Sequence, residues 1–303
     1  MVLSDKQMLE IESQRSSKQK TRRVVAEGME KNLFEMKTIL DHGFIRVIDY
    51  MGDDGAITQA ARVSYGKGTK SVQNDEGLIR YLMRHRHSTP FEMCEIKLHV
   101  KLPVFVARQW IRHRTANVNE YSARYSILDR EFYFPRSEHI NAQSNANNQG
   151  RGDLLDADES ARVLKILKSD SDRCYKNYEA MISQDQQKGL TRELARMNLP
   201  SSIYTQWYWK VDLHNLFHFL RLRSDEHAQY EIRAYANELC KIVKDWVPFA
   251  YRAFEDYQLG AVSLSTQMIA LLKRMLAGEQ IVQKDSGLSA REWQEFHDIF
   301  GQK

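Results

Sequence analysis

Apolar and polar positions change rhythm several times along the chain, and each rhythm predicts an element. From Gly43, the apolar residues Phe44, Ile45, Val47 and Ile48 run into the turn-forming sequence Met51-Gly-Asp-Asp-Gly55, which predicts a short strand and a turn. Helical spacing follows over 56–63, and again from about Asp75 to Arg86 with Asn74 or Asp75 as its cap. The stretch Glu95-Ile-Lys-Leu-His-Val-Lys-Leu102 alternates without a fault, the period of a strand with one buried face. Pro103 then suits the first position of a helix running through Trp110 to about Arg114. Glu131-Phe-Tyr-Phe134, closed by Pro135, is a further strand candidate. Residues 137–158 predict a loop or insertion, with Asn, Gln, Ser and Gly dominating 137–152. Beyond it the spacing predicts helices at about 158–184, 190–197, 202–222, 226–246 and 262–277. The box Ser289-Ala-Arg-Glu292 starts a last amphipathic helix carrying Trp293, Phe296 and Phe300.

Strands early and helices late predict an α+β fold, with a central, mostly antiparallel sheet and a helical C-terminal half. Residues 1–42 are polar and show no core pattern of their own, so they read as an N-terminal extension. No internal repeat is visible. A length of 303 residues with 42% hydrophobic and 28% charged positions, 14 Gly and 5 Pro excludes collagen-like and wholly disordered classes.

Charge and cysteines narrow the picture further. Forty-four Lys and Arg against 40 Asp and Glu leave a formal charge of +4, too mild for a histone-like coat, so the placement of the charge matters more than its sum. No apolar run reaches the ~18–20 residues of a membrane span, and the N-terminus lacks the apolar core of a secretory signal. Cys94, Cys174 and Cys240 are odd in number and widely spaced, which argues against a zinc ribbon or a disulfide framework and for a reducing, cytoplasmic setting.

Common catalytic signatures are missing. Gly66-Lys-Gly68-Thr-Lys-Ser71 lacks the third glycine of a dinucleotide fingerprint and the Gly-Lys-Ser/Thr ending of a phosphate-binding loop, and there is no Gly-x-Ser-x-Gly. His214 and His218 stand one helical turn apart, a spacing that serves a metal, but the glutamate of a His-Glu-x-x-His site is absent and no third ligand stands out. Two partly buried, locally bonded histidines explain the pair more simply, and no metal is expected.

The densest chemistry runs from Arg108 to Tyr125. Gln109 and Arg112 share a helical face. If the chain is extended beyond Asn119, Glu120, Ser122 and Arg124 project to one side and Tyr121, Ala123 and Tyr125 to the other. Forked guanidinium donors, an amide, a hydroxyl and a carboxylate in one segment suit a phosphorylated, ring-shaped, hydrogen-bonding ligand such as a nucleotide. The competing explanation is a helix end whose cations complement the dipole, followed by a solvated loop. A second cluster joins Asp212, His214, His218, Arg221 and Arg223, and a basic pair sits at Arg192 and Arg196.

Arg112-His113-Arg114, seven residues and then Ser122 resemble the RHR-x7-S signature of flavin-dependent thymidylate synthases (ThyX). Ala60-Ala-Arg-Val-Ser64, the run Tyr81 to Glu92, Phe105 to Trp110, His218-Phe-Leu-Arg-Leu-Arg223 and His227-Ala-Gln229 agree in order, covering about 43–258. The resemblance implies methylation of dUMP to dTMP, with 5,10-methylenetetrahydrofolate as carbon donor, FAD as hydride carrier and NADPH as reductant. It implies a catalytic domain at 43–260, a helical extension at 261–303, and a homotetramer whose active sites are shared between subunits. Gln109, Trp110, Ile111, Arg112, Arg196 and Arg223 would contact dUMP, joined by Glu120, Tyr121, Ser122, Ala123 and Arg124 from a neighbouring subunit. Arg223 would act catalytically, pairing with the uracil edge and favouring loss of its N3 proton. Thr89, Arg112, His113, Arg114, Glu120, Asp212, His214 and His218 would hold FAD, with His87 and Glu92 as secondary contacts. No cysteine follows a proline or precedes a histidine, as the cysteine-based route to the same product requires. A nucleic-acid-binding protein using 108–125 is the alternative from another class, and a metallohydrolase on His214 and His218 a third.

Overall fold

The computed structural model describes residues 4–63, 75–144, 150–182 and 189–300. Among them the strands are β1 (Met36–Ile39), β2 (Gly43–Met51), β3 (Glu95–Pro103), β4 (Asn117–Glu120), β5 (Asn141–Gln143), β6 (Arg151–Leu154) and β7 (Tyr204–Asp212). Five of them form one sheet in the order β1-β2-β3-β7-β4, with every neighbouring pair antiparallel, while β5 and β6 make a separate hairpin. The alternation read in 95–102 is the middle of this sheet. Ile96, Leu98, Val100 and Leu102 are buried, and so are Thr205, Trp207, Trp209 and Val211 of β7. The opposite face carries Lys97, His99, Tyr208 and Lys210, of which Tyr208 is exposed.

The buried face is covered by aromatic packing from helices. Trp110, at the end of the helix Val104–Trp110, is fully buried, with ring centroids 5.2 Å from Trp209, 5.9 Å from Trp207 and 4.6 Å from Phe219. Phe219 belongs to the helix Leu213–Arg223, and Tyr235, 5.9 Å from Trp110, to the helix Tyr230–Trp246. Truncating an aromatic so placed costs about 3–5 kcal/mol, so Trp110 locks two helices to the sheet that carries them.

Several elements differ from the reading of the pattern. The helix expected over 202–222 is a strand, β7, followed directly by the helix Leu213–Arg223. Thr205, Trp207, Trp209 and Val211 alternate with Gln206, Tyr208, Lys210 and Asp212, a period of two obscured by the aromatic character of both sets. Glu131–Phe134 forms no strand and contributes only one antiparallel bridge, Phe132 to Ile203. Pro103 closes β3 and caps the helix after it rather than opening that helix. Part of the polar leader is structural: Met29, on the helix Glu27–Asn32, is fully buried, and Met36–Ile39 is an edge strand. The stretch 137–158 holds the β5–β6 hairpin. Asn74, Ser64 and the Gly66–Ser71 segment lie outside the described residues.

Contacts divide the chain into two units, Met1–Phe254 and Glu255–Lys303. The second has its own small core of Met268, Leu271, Leu288 and Phe296, and its last helix starts on the expected box, with the Ser289 hydroxyl donating to Glu292 at 2.6 Å.

Candidate functional site

Two chain reversals meet beside β7. After Trp110 the helix loosens, with His113 N–H donating to the Trp110 carbonyl at 3.0 Å, and residues 112–115 lead into β4. At the end of β7, Asp212 caps the next helix. Its Oδ1 accepts from the Asn215 backbone at 2.9 Å and its Oδ2 from the Asn215 side chain at 2.8 Å. Between them lies a cleft of about 340 Å³ lined by Arg112, His113, Arg114, Thr115, Trp209, Val211, Asn215, His218, Leu222 and Arg223.

Arg223 is the centre of its bonding. Its Nε donates to His113 Nε2 at 3.1 Å, and its Nη2 donates to the Gln109 carbonyl at 3.5 Å. The first bond requires an unprotonated His113 Nε2. Burial, then the Arg223 charge, then His218 push the His113 pKa down to about 4, so the ring is neutral at neutral pH. His218, whose ring lies 5.6 Å from His113, is lowered by burial and by Arg221, His214 and Arg223. Burial and the neighbouring Arg112 also lower the Arg223 pKa. The cleft has no carboxylate among its lining residues, and among the described residues Arg112 and Arg114 have no acidic partner. Guanidinium groups crowded at a half-buried site without counter-charge are an arrangement that an anion stabilises. Trp209, Val211 and Leu222 add apolar surface for a ring.

Of the residues expected at the site, the structure brings together Gln109, Arg112, His113, Arg114, His218 and Arg223. The Trp110 side chain is buried in the core, so a contact there would fall to its backbone. Ile111 beside it is 40% exposed. Extended backbone after Asn119 stops early, because Ser122 opens a turn whose carbonyl accepts from Tyr125 and Ser126, both at 3.1 Å. Ala123 is buried against Leu128, Phe132 and Tyr175. Glu120 accepts from the Thr205 hydroxyl at 2.7 Å, Tyr121 donates to the Ile127 carbonyl at 3.1 Å, and Arg124 pairs with Glu193 at 3.2 Å. Arg196 bonds the Glu193 carbonyl at 3.3 Å, and Arg192 the Tyr125 carbonyl at 2.7 Å. None of Glu120–Arg124 lines the cleft, nor do Arg196, Thr89, Asp212 or His214. Thr89 starts a short helix, Thr89–Glu92, whose Phe91 packs on Phe217 at 6.3 Å, and the His87 ring stacks on Tyr81 at 6.0 Å.

Thr115, Trp209, Val211, Asn215 and Leu222 were not anticipated. Asn215, His218 and Leu222 follow the i, i+3, i+7 stripe of one helical face, the signal by which Asn215 and Leu222 can be found from His218. Among the described residues no group of three or more His, Cys, Asp and Glu side chains surrounds His214 and His218.

An antiparallel α+β fold with a carboxylate-free cleft of arginines and histidines suits an anionic, ring-bearing ligand. Residues 46–249 match the family model described as thymidylate synthase complementing protein. The chain is 74% identical over 301 residues to the flavin-dependent thymidylate synthase of Ruegeria pomeroyi, covering 99% of this chain and 100% of that one. It is 62% identical over 295 residues to the enzyme of the same name from Gluconobacter oxydans, covering 97% of each. Among solved structures it resembles a UMP/dUMP methylase, PolB from Streptomyces cacaoi, bound with 5-Br UMP, at 29% identity and a TM-score of 0.65 over 72% of this chain and 95% of that one. The chain belongs to the flavin-dependent thymidylate synthase family. The regions read as extensions are shared with the Ruegeria relative, and the nucleic-acid-binding alternative gains no support.

Proposed function

We propose that this chain methylates dUMP to dTMP, taking the carbon from 5,10-methylenetetrahydrofolate and using FAD and NADPH, as a cytoplasmic homotetramer with active sites shared between subunits. The observation that carries the reading is Arg223, half-buried in a cleft free of carboxylates and bonded through Nε to a neutral histidine. The donor set fits a flavin nucleotide: Arg112 and Arg114 offer charge to phosphate, while neutral His113 and His218 offer hydrogen bonds without repelling either guanidinium. FAD, when bound, supplies the hydride.

The chain's own part is binding and charge placement. His113 takes the Arg223 Nε–H and the Gln109 backbone carbonyl one Nη2 N–H, which leaves Nη1 and the second Nη2 N–H for the uracil ring. A permanent cation there favours loss of the N3 proton and raises electron density on the carbon that attacks. Gln109, Arg112 and Arg196 bind dUMP beside it, with Glu120, Tyr121, Ser122 and Arg124 contributed by a second copy. Thr89 and Glu120 join the flavin contacts. Both oxygens of Asp212 are engaged by Asn215, so we assign Asp212 to anchoring the helix that carries His218 and Arg223. The three cysteines are free, which suits a reducing compartment. Among the described residues no helix is long and apolar enough to cross a membrane.

Purified protein is expected to be yellow, to release FAD on denaturation, and to form dTMP only when dUMP, methylenetetrahydrofolate and NADPH are all supplied. A folded, colourless protein that takes up no added FAD overturns the reading.

A further inference from the structure

Glu231, the second residue of the helix Tyr230–Trp246, is 3% exposed and lies outside the cleft. Arg151 Nη2 donates to both of its oxygens at 2.7 Å, the Tyr133 hydroxyl donates to Oε1 at 3.0 Å, and Gln229 Nε2 donates to Oε2 at 2.8 Å. Burial pushes the Glu231 pKa up, but the Arg151 guanidinium and the Gln229 amide outweigh it and leave the carboxyl below its ordinary range. An ionised carboxylate only accepts hydrogen bonds, whereas an amide side chain has a donor end and an acceptor end. Gln229 therefore turns its NH2 to Glu231 and its oxygen away. Gln109 Nε2 donates to that oxygen, so the Gln109 amide is fixed in turn. One N–H of Gln109 is consumed, and among the described residues nothing else bonds its Oε1 or second N–H. Arg151 sits on β6, and its Nη1 also donates to the His139 carbonyl at 3.1 Å. Thus the Asn-rich insertion, for which sequence reading found no role, reaches a residue of the site.

We propose that Glu231, held by Arg151 of the insertion hairpin, is a positioning residue that sets the amide polarity of Gln109 through Gln229, so that Gln109 presents one acceptor and one donor in a fixed order to the pyrimidine nucleotide. The proposal rests on the reading of Gln109 as a dUMP contact. A helix-start acid that merely stabilises the fold is the competing explanation, and a double-mutant cycle separates the two.

The experiment is calorimetric titration of the flavin-loaded protein with dUMP for the native chain, Glu231→Gln, Gln109→Ala and the double variant. Glu231→Gln is expected to raise the dUMP dissociation constant about tenfold, the scale of one well-placed hydrogen bond to a ligand. In the Gln109→Ala background the same change is expected to add less than about twofold, since the relay then has no end. An equal penalty in both backgrounds, or none in the native chain, overturns the relay while leaving Gln109 as a contact. An unchanged constant for Gln109→Ala overturns the contact itself and the relay with it. If Glu231→Gln does not fold, Gln229→Leu at the exposed middle of the relay runs the same cycle with the same expected outcomes.

Discussion

In residues 109–115 and the helix Leu213–Arg223, the candidate site groups bond one another: the Arg223 guanidinium to the His113 ring and to the Gln109 backbone carbonyl. In residues 120–124 the functional side chains bond outwards into ordinary structure: Glu120 to Thr205, Tyr121 to Ile127, Arg124 to Glu193. The first region is a preorganised half-site with unneutralised charge. The second is an exposed loop whose cation already has an anion beside it. A salt bridge between half-exposed groups is worth ~0–1 kcal/mol, so Arg124 gives up Glu193 readily when a better anion arrives. Among the described residues Arg112 and Arg114 have no acidic partner to give up. The contrast is the one that the proposed sharing of sites between subunits expects, with one half ready for ligand and the other awaiting the surface of a second copy.

The largest effect should come from breaking the preorganised half. Arg223→Ala is expected to lower kcat for dTMP formation by about a thousandfold or more, the scale of losing an aligned charge in an active site, while FAD absorbance survives; retained turnover would refute its role. In the other half, Ser122→Ala is expected to weaken dUMP binding by about tenfold and to leave measurable turnover, since the turn keeps both bonds to the Ser122 carbonyl and loses only the Arg124 N–H bond to the hydroxyl at 3.3 Å. Complete loss would point instead to Ser122 as a nucleophile.

His113 supplies a smaller, pH-dependent test. Its pKa is about 4 in the fold against an ordinary value near 6.5, so between those values the unfolded chain binds a proton that the folded chain refuses. Stability therefore rises with pH through this window and is fully present above it. Melting temperature measured from pH 4 to 7 is expected to climb less steeply for His113→Asn than for the native chain, and equal slopes would remove His113 from the account.

The same comparison shows what sequence reading reached. The alternation of 95–102 gave β3 because its two faces differ sharply in polarity. Arg112, His113, Arg114 and Arg223 were legible as one site because each stands in a motif that resembles the family's, Arg112 to Ser122 and His218 to Arg223. The burial of the Trp110 side chain was not legible, because an aromatic beside site residues in sequence can face the core on a helix. Trp209, Val211 and Asn215 were missed because β7 and the following helix join at Asp212 without glycine or proline to mark the change. The relay from Arg151 to Gln109 is invisible in sequence: it links residues more than 40 apart through four side chains, and only the folded helix Tyr230–Trp246 brings them within bonding reach.

The central claim, that the two halves are completed by different copies of the chain, is tested by coexpressing Arg223→Ala and Arg124→Glu chains, each inactive or nearly so alone. Sites shared between subunits predict dTMP formation in the mixed oligomer well above that of either parent, because some interfaces then pair an intact cleft with an intact loop. A mixed oligomer no more active than its parents would contradict the claim.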